Sequence, residues 1–95
     1  MSYLIIRPVL NHYYTGEDRS QDYGNLHELI GTCGNILIHE HGLYLLHSNY
    51  SFDDTYRIIE ESLPRAEDQL IVAETQTEYN RGSGGFEPIV RQRLF

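Results

Sequence analysis

The stretch Asn35–His47, NILIHEHGLYLLH, decides the fold. Two apolar runs flank Glu40–His41–Gly42, and Gly42 supplies the positive φ that a tight turn requires, which predicts a β-hairpin. Leucine and isoleucine occupy both parities of these strands, so neither face of the resulting sheet is expected to be fully polar. A sheet built on this hairpin therefore needs a cover on both faces.

One strand and one helix are predicted on each side of the hairpin. The strand Tyr3–Leu10 and a helix over Asp22–Cys33 precede it, and a helix beginning after Ser51 and the strand Gln69–Glu74 follow it. The side chains predicted to face inward are Tyr23, Leu26, Leu29, Ile30 and Cys33 in the first helix and Phe52, Tyr56, Ile59 and Leu63 in the second.

Proline and capping signals set the ends of these elements. Pro8 lacks a ladder donor, so the first strand is expected to end near Arg7 or to bulge. Ser51 is the predicted N-cap of the second helix, with Asp54 as a capping-box partner, and Pro64 ends that helix.

The order strand, helix, hairpin, helix, strand predicts an α+β, ferredoxin-like βαββαβ two-layer sandwich. Its four-stranded antiparallel sheet would carry both helices on one face. A second subunit is the simplest cover for the other face, which predicts a homodimer. Residues 1–78 would form this domain, and residues 79–95 a glycine-rich link followed by an apolar and arginine-containing tail.

The tail is predicted to cross to the partner subunit and to add a strand to its sheet. Its apolar residues follow the flexible stretch Gly82–Gly85 and have no evident place in the core. The predicted interface residues are Tyr44, Leu46, Ile89, Val90, Arg91, Arg93, Leu94 and Phe95.

The charge is acidic and uneven along the chain. Fourteen acids face seven bases, all of them arginine, for a net charge of −7. This balance disfavours binding to a phosphate backbone and keeps the body soluble. The single cysteine, Cys33, and the lack of a membrane-length apolar run or a leader predict a cytoplasmic protein.

No motif predicts a cofactor or a metal site. His39, His41 and His47 invite a zinc hypothesis, but a two-residue turn would place His39 and His47 on opposite sheet faces. A three-residue turn would place them on the same face. Cys33 lies on the apolar stripe of the first helix and is interpreted as a buried core thiol.

Four stretches together resemble the small CRISPR-adaptation subunit and its virulence-associated-protein-D-like relatives. They are YLII at 3–6, Asp22–Tyr23 before LHELI, HGLYLLHS at 41–48, and SFDDTYRIIEESLPRAEDQLIVAE at 51–74. The resemblance implies a ferredoxin-like protomer in a symmetric dimer with exchanged C-terminal segments. It also implies either a metal-dependent nuclease or a non-catalytic scaffold in DNA integration. The family's metal-binding Asp would stand where this chain has Arg7–Pro8.

The sequence therefore predicts a non-catalytic, homodimeric protein-interaction module. A mobile-element or phage origin, with action on host defence or nucleic-acid machinery, is the context that the small size, acidity and resemblance favour. The alternative is a diverged nuclease or toxin-like endoribonuclease of the same fold, using His12 or His27 as acid and base without metal. A small-ligand site in a dimer cleft lined by tyrosine and arginine is a third hypothesis.

Overall fold

The residues that the structure describes form an α+β fold with two helices and one five-stranded antiparallel sheet. The computed structural model describes residues 2–11, 18–75 and 89–93. The elements are β1 (Ser2–Val9), α1 (Ser20–Cys33), β2 (Gly34–Glu40), β3 (Leu43–Ser48), α2 (Phe52–Glu61), β4 (Gln69–Thr75) and β5 (Ile89–Arg93).

The strands lie in the order β2-β3-β1-β4-β5, with β1 in the middle. Register pairs Leu4 with Leu46 on β3 and Ile6 with Val72 on β4. Each helix connects two strands that are separated in the sheet by one other strand, so α1 passes over β3 and α2 passes over β1. The two helices and the sheet therefore form two layers.

One hydrophobic core lies between the helices and the sheet. Its members alternate along the strands with exposed or partly buried residues, as expected for a sheet that is covered on one face. They are Leu4, Ile6, Leu10, Leu26, Ile30, Cys33, Tyr44, Leu46, Phe52, Ile59, Leu63, Leu70 and Val72. The inward stripes predicted for both helices are confirmed for most positions, while Leu29 and Tyr56 are only partly buried.

Tyr23 is the exception, because 37% of it is exposed. Its hydroxyl accepts a hydrogen bond from the Leu10 backbone N–H at 2.9 Å, so the ring lies at the rim of the core. A tyrosine at helical spacing can satisfy its polar tip in this way without entering the core.

The sequence-predicted strand count is wrong by one. Beyond the four expected strands, β5 pairs with β4 of the same chain, from Leu70 opposite Arg93 to Glu74 opposite Ile89. The tail thereby covers backbone groups that would otherwise form a free sheet edge. Exchange of this strand between subunits stays a prediction, and the predicted boundary at residue 78 lies outside the described residues.

β1 continues through Pro8 rather than ending near Arg7. The ladder with β3 stops at Ile6 opposite Tyr44, and only the ladder with β4 continues, with Pro8 opposite Leu70. The proline therefore lies where β1 has a single hydrogen-bonded neighbour. A missing donor is tolerated at such a position.

The hairpin turn has two residues, which is one of the two turn lengths that the sequence left open. His41 and Gly42 both have positive φ, 51° and 79°, which is the combination of a type I′ turn. A β-bulge interrupts β2 between Ile36 and Ile38. Ser51 caps α2 as predicted, accepting a hydrogen bond from the Asp54 N–H at 3.1 Å.

A buried ion pair joins the start of α1 to the start of β4. Arg19 and Asp68 form two hydrogen bonds of 2.9 Å, and their side chains are 2% and 0% exposed. Arg19 also donates to the Asn11 carbonyl at 2.6 Å and to the Asp22 carboxylate at 2.8 Å. The second and third donors to Asp68 are the backbone N–H groups of Asn11 and Arg65, each at 3.0 Å.

These contacts hold Asp68 in its charged form. Burial alone would raise the pKa of the Asp68 carboxyl, but the hydrogen bonds from Arg19, Asn11 and Arg65 outweigh it and hold that pKa below its ordinary value. Asp68 in turn raises the pKa of Arg19. The pair is therefore fully ionised at neutral pH.

Replacing Asp68→Asn should lower the free energy of unfolding by about 3–5 kcal/mol, because Arg19 would keep a buried charge without a partner. Denaturant unfolding at neutral pH measures this. The matched control is Asp54→Asn, whose partner Arg57 is 65% exposed, and which should cost less than about 1 kcal/mol. Equal losses of stability in the two variants would contradict the conclusion that the Arg19–Asp68 pair stabilises the fold more than an exposed ion pair does.

The same pair predicts a pH dependence. The pKa of Asp68 is lower in the folded chain, so its contribution to stability is present above the ordinary carboxyl value of about 3.9 and is lost as the pH falls further. The wild type should therefore lose more stability than the Asp68→Asn variant as the pH falls below about 4. Unfolding free energies measured across that window test the difference.

Candidate functional site

The open face of the sheet is the first candidate site. Side chains opposite in parity to the core lie on the side of the sheet without helices, and several are apolar and exposed. The exposed fractions are 37% for Ile5, 38% for Val9, 49% for Ile38 and 41% for Leu43. Leu45 and Ile71 lie among them and are partly buried by their neighbours. We call this set, Ile5, Val9, Ile38, Leu43, Leu45 and Ile71, the open apolar face.

Charge is distributed unequally between the two sides of the domain. Exposed carboxylates such as Glu28, Asp53 and Glu61 lie on the helices. Among the described strand residues that register places on the open side, the charged ones are Arg7 and Glu40. The open apolar face is therefore close to neutral, while the helical side carries the negative charge.

Two of the predicted interface residues lie elsewhere. Tyr44 and Leu46 are 4% and 0% exposed and face the helices, in the core of this chain. Their neighbours Leu43 and Leu45 occupy the open side instead. Apolar residues occupy both odd-numbered and even-numbered positions of β3. The sequence therefore did not show which set faces the helices and which faces the open side.

The described part of the tail contacts its own chain. Arg91 forms an ion pair with Asp53 of α2, with 2.9 Å between Nη2 and Oδ1. Arg93 donates to the carbonyls of Arg65 at 3.0 Å and Ala66 at 2.9 Å. The backbone of Ile89 and Val90 pairs with β4, and Leu94 and Phe95 lie outside the described residues.

A groove on the helical side is the second candidate site. His27 on α1, His39 on β2 and Tyr44 on β3 form its polar centre. His27 Nδ1 lies 2.9 Å from Tyr44 Oη, and the His39 ring stacks on Tyr44 with centroids 4.0 Å apart and planes at 8°. The centroids of the two imidazoles are 5.0 Å apart.

The groove is an open cavity of about 440 Å³, in the range of small-ligand sites. Its other walls are aromatic, apolar or lack a side chain: Pro8, Tyr23, Gly24 and Gly42. Gly24 lies inside a helix, and a Cβ there would meet no atom within 4 Å. Packing therefore does not require this glycine, although it costs the helix about 1 kcal/mol relative to alanine.

Burial raises the pKa of the Tyr44 phenol. The hydroxyl therefore stays protonated at neutral pH. It can donate to His27 Nδ1 or accept from it, depending on the tautomer of the imidazole.

The remaining candidate residues are separated. His39 pairs with Tyr44 on the helical side, whereas His47 stacks on Tyr3 on the open side, as the two-residue turn predicted. Cys33 is buried, and burial raises the pKa of its thiol. His12 lies outside the described residues. In the described ranges, no three or more His, Cys, Asp or Glu side chains converge as metal ligands.

Sequence reasoning missed the pairing of His27 with His39. Two features point toward this pairing. A two-residue turn places His39 opposite Tyr44, and the connection from β1 to β2 places α1 over the hairpin. What the pattern could not supply is the rotation of α1 about its axis that turns His27 toward the strands.

Comparison with protein-family models, curated proteins and solved structures finds no match for this chain. Neither α1 nor α2 has the length and apolarity of a membrane-spanning helix, within the residues that the structure describes. The geometry of the open apolar face and of the groove therefore carries the functional argument.

Replacing Arg93→Gln should destabilise the domain by about 1–2 kcal/mol, because charge-assisted bonds to carbonyls of the α2–β4 loop would be lost. Thermal unfolding measures this. Arg91→Gln is the matched control in the same strand. Its exposed ion pair with Asp53 should contribute no more than about 1 kcal/mol. A larger effect at Arg91 than at Arg93 would contradict this account of how β5 is held.

Proposed function

We propose that the protein is a non-catalytic, homodimeric protein-interaction module of the ferredoxin-like class, and that the dimer forms through the open apolar face. The observation that carries the proposal is a five-stranded sheet with helices on one side and four well-exposed apolar side chains on the other. Exposed apolar patches of this kind mark interaction surfaces.

The size of the face supports a second copy as the occupant. Five strands about 4.8 Å apart and about 20 Å long give a projected area of roughly 500 Å². Pleating adds accessible surface, so the face approaches the roughly 600 Å² per partner at the lower end of specific interfaces. Two sheets of the same twist also pack well face to face.

The charge distribution supports the same occupant. A chain with net charge −7 repels a second copy unless the contact turns the acids away. Sheet-to-sheet contact does this, because Glu28, Asp53 and Glu61 lie on helices at the far side of each protomer. Arg7 and Glu40 on the open side have opposite charges, which suits a symmetric contact.

The ferredoxin-like class is supported by the order β2-β3-β1-β4 of the first four strands and by the two crossing helices. Relationship to the small CRISPR-adaptation subunit and its virulence-associated-protein-D-like relatives is a proposal that rests on the sequence resemblance alone. The proposed role of the dimer is to bind a protein of host defence or nucleic-acid machinery. This role also rests on the sequence resemblance. The acidic helical side is the surface that we assign to that partner.

The geometry gives the nuclease alternative less support. In the first strand, Arg7 is exposed on the open side and Pro8 is buried, where the resemblance to a metal-dependent nuclease would call for a carboxylate. His27 and His39 could serve as acid and base, but the described groove walls hold no lysine or arginine to bind a phosphate.

The substitution Ile5→Glu should convert the dimer to a monomer. It places two carboxylates in the middle of the apolar contact, on the central strand of each sheet. Sedimentation or light scattering at micromolar concentration measures the mass, and circular dichroism confirms that the fold is kept. Tyr50→Glu is the control, since Tyr50 is 44% exposed but lies in the turn before α2. A wild-type mass of one chain would refute the proposed dimer.

The purified protein should not cleave RNA or DNA in the presence of Mg²⁺ or Mn²⁺, because Arg7 and Pro8 supply no carboxylate to hold the ion. Incubation with labelled single- and double-stranded substrates tests this. Cleavage that persists through further purification and disappears in a His27→Ala variant would establish the nuclease alternative instead.

A further inference from the structure

We propose that His27 and His39 form a two-histidine site for a divalent transition-metal ion of the Zn²⁺ type. The site lies in the groove on the helical side, away from the open apolar face. The proposed metal site therefore does not overlap the proposed dimer contact, and its test does not require the dimer. Its two ligands come from α1 and β2, which are brought together only by the folded chain.

The separation of the rings leaves space for one ion between them. Imidazole nitrogen binds Zn²⁺ at about 2.0–2.1 Å, which places each ring centroid about 3.2 Å from the ion. With one nitrogen of each ring directed at a shared ion, centroids 5.0 Å apart would subtend an angle of roughly 105° there, close to the tetrahedral geometry that Zn²⁺ adopts.

Tyr44 orients both ligands without competing for the ion. Its hydroxyl is 2.9 Å from His27 Nδ1, which leaves the Nε2 atom of His27 as the ligating nitrogen. Contacts of this kind to the second nitrogen fix the ring and its tautomer in histidine metal sites. The Tyr44 ring stacks on the face of His39, whereas a metal ion binds in the plane of an imidazole ring.

The surroundings suit an ion with open coordination positions. Both imidazoles are exposed at the groove, so an ion can reach them from solvent. The cavity of about 440 Å³ leaves room for water or a small anionic ligand to complete four-fold coordination. Gly24 and Gly42 keep side chains away from this space.

Zinc titration of the tag-free, chelator-treated full chain tests the proposal, by calorimetry and by NMR of the imidazole groups. The wild type should bind one Zn²⁺ per chain with shifts at His27 and His39. The His27→Gln and His39→Gln variants should each bind more than about tenfold more weakly. Tyr44→Phe should weaken binding by about tenfold while both imidazoles remain, because the orienting contact is lost.

His41→Asn and His47→Gln are the controls. Asparagine tolerates the positive φ of His41 at the turn, and His47 lies on the other face of the sheet. Both variants should bind Zn²⁺ as the wild type does. Retained binding in the His27→Gln, His39→Gln double variant, or loss of binding in either control, would overturn the proposal. Circular dichroism of every variant separates loss of the site from loss of the fold.

Discussion

The buried pair of Arg19 and Asp68 is the interaction on which the rest of the structure depends. Removing two charges from water is costly, and the cost is met only because Asp68 accepts four hydrogen bonds and Arg19 donates to three neighbours. The pair connects Asn11, two residues after β1, to the start of α1 and the start of β4. The pair therefore positions the start of α1 relative to the end of β1. It also positions the start of β4.

Both helices lie on the same side of the sheet, so the two sides have different properties. The helical side carries the carboxylates, which remain hydrated on the exposed surfaces of α1 and α2. The open side carries Ile5, Val9 and Leu43 without compensating charge. In the proposed dimer, the apolar contact and the repelling carboxylates would therefore lie on opposite sides of one small domain, which would let an acidic chain pair with a second copy.

Patterns that depend on local geometry were predictable from the sequence. Helical spacing located α1 and α2, Ser51 located a cap, and Gly42 located a tight turn, whose length of two residues comes from the structure. Features that depend on tertiary contacts could not be predicted from the sequence. Apolar residues at both parities of β3 left the core face undetermined, and Arg19 in a polar loop had no periodic signal of burial. The fifth strand was assigned to a partner because its pairing with β4 depends on where a distant segment returns.

The β2–β3 hairpin links the groove to the open apolar face. It presents His39 and Tyr44 to α1 on one side, and Ile38 and Leu43 to the open side on the other. An ion at the proposed two-histidine site that shifted this hairpin relative to β1 would change the free energy of the proposed association at the open apolar face. By reciprocity, association then changes the affinity for the ion by the same factor. A ligand that leaves the hairpin unmoved has no such effect, so the stiffness of these two strands decides whether the two sites act separately or together.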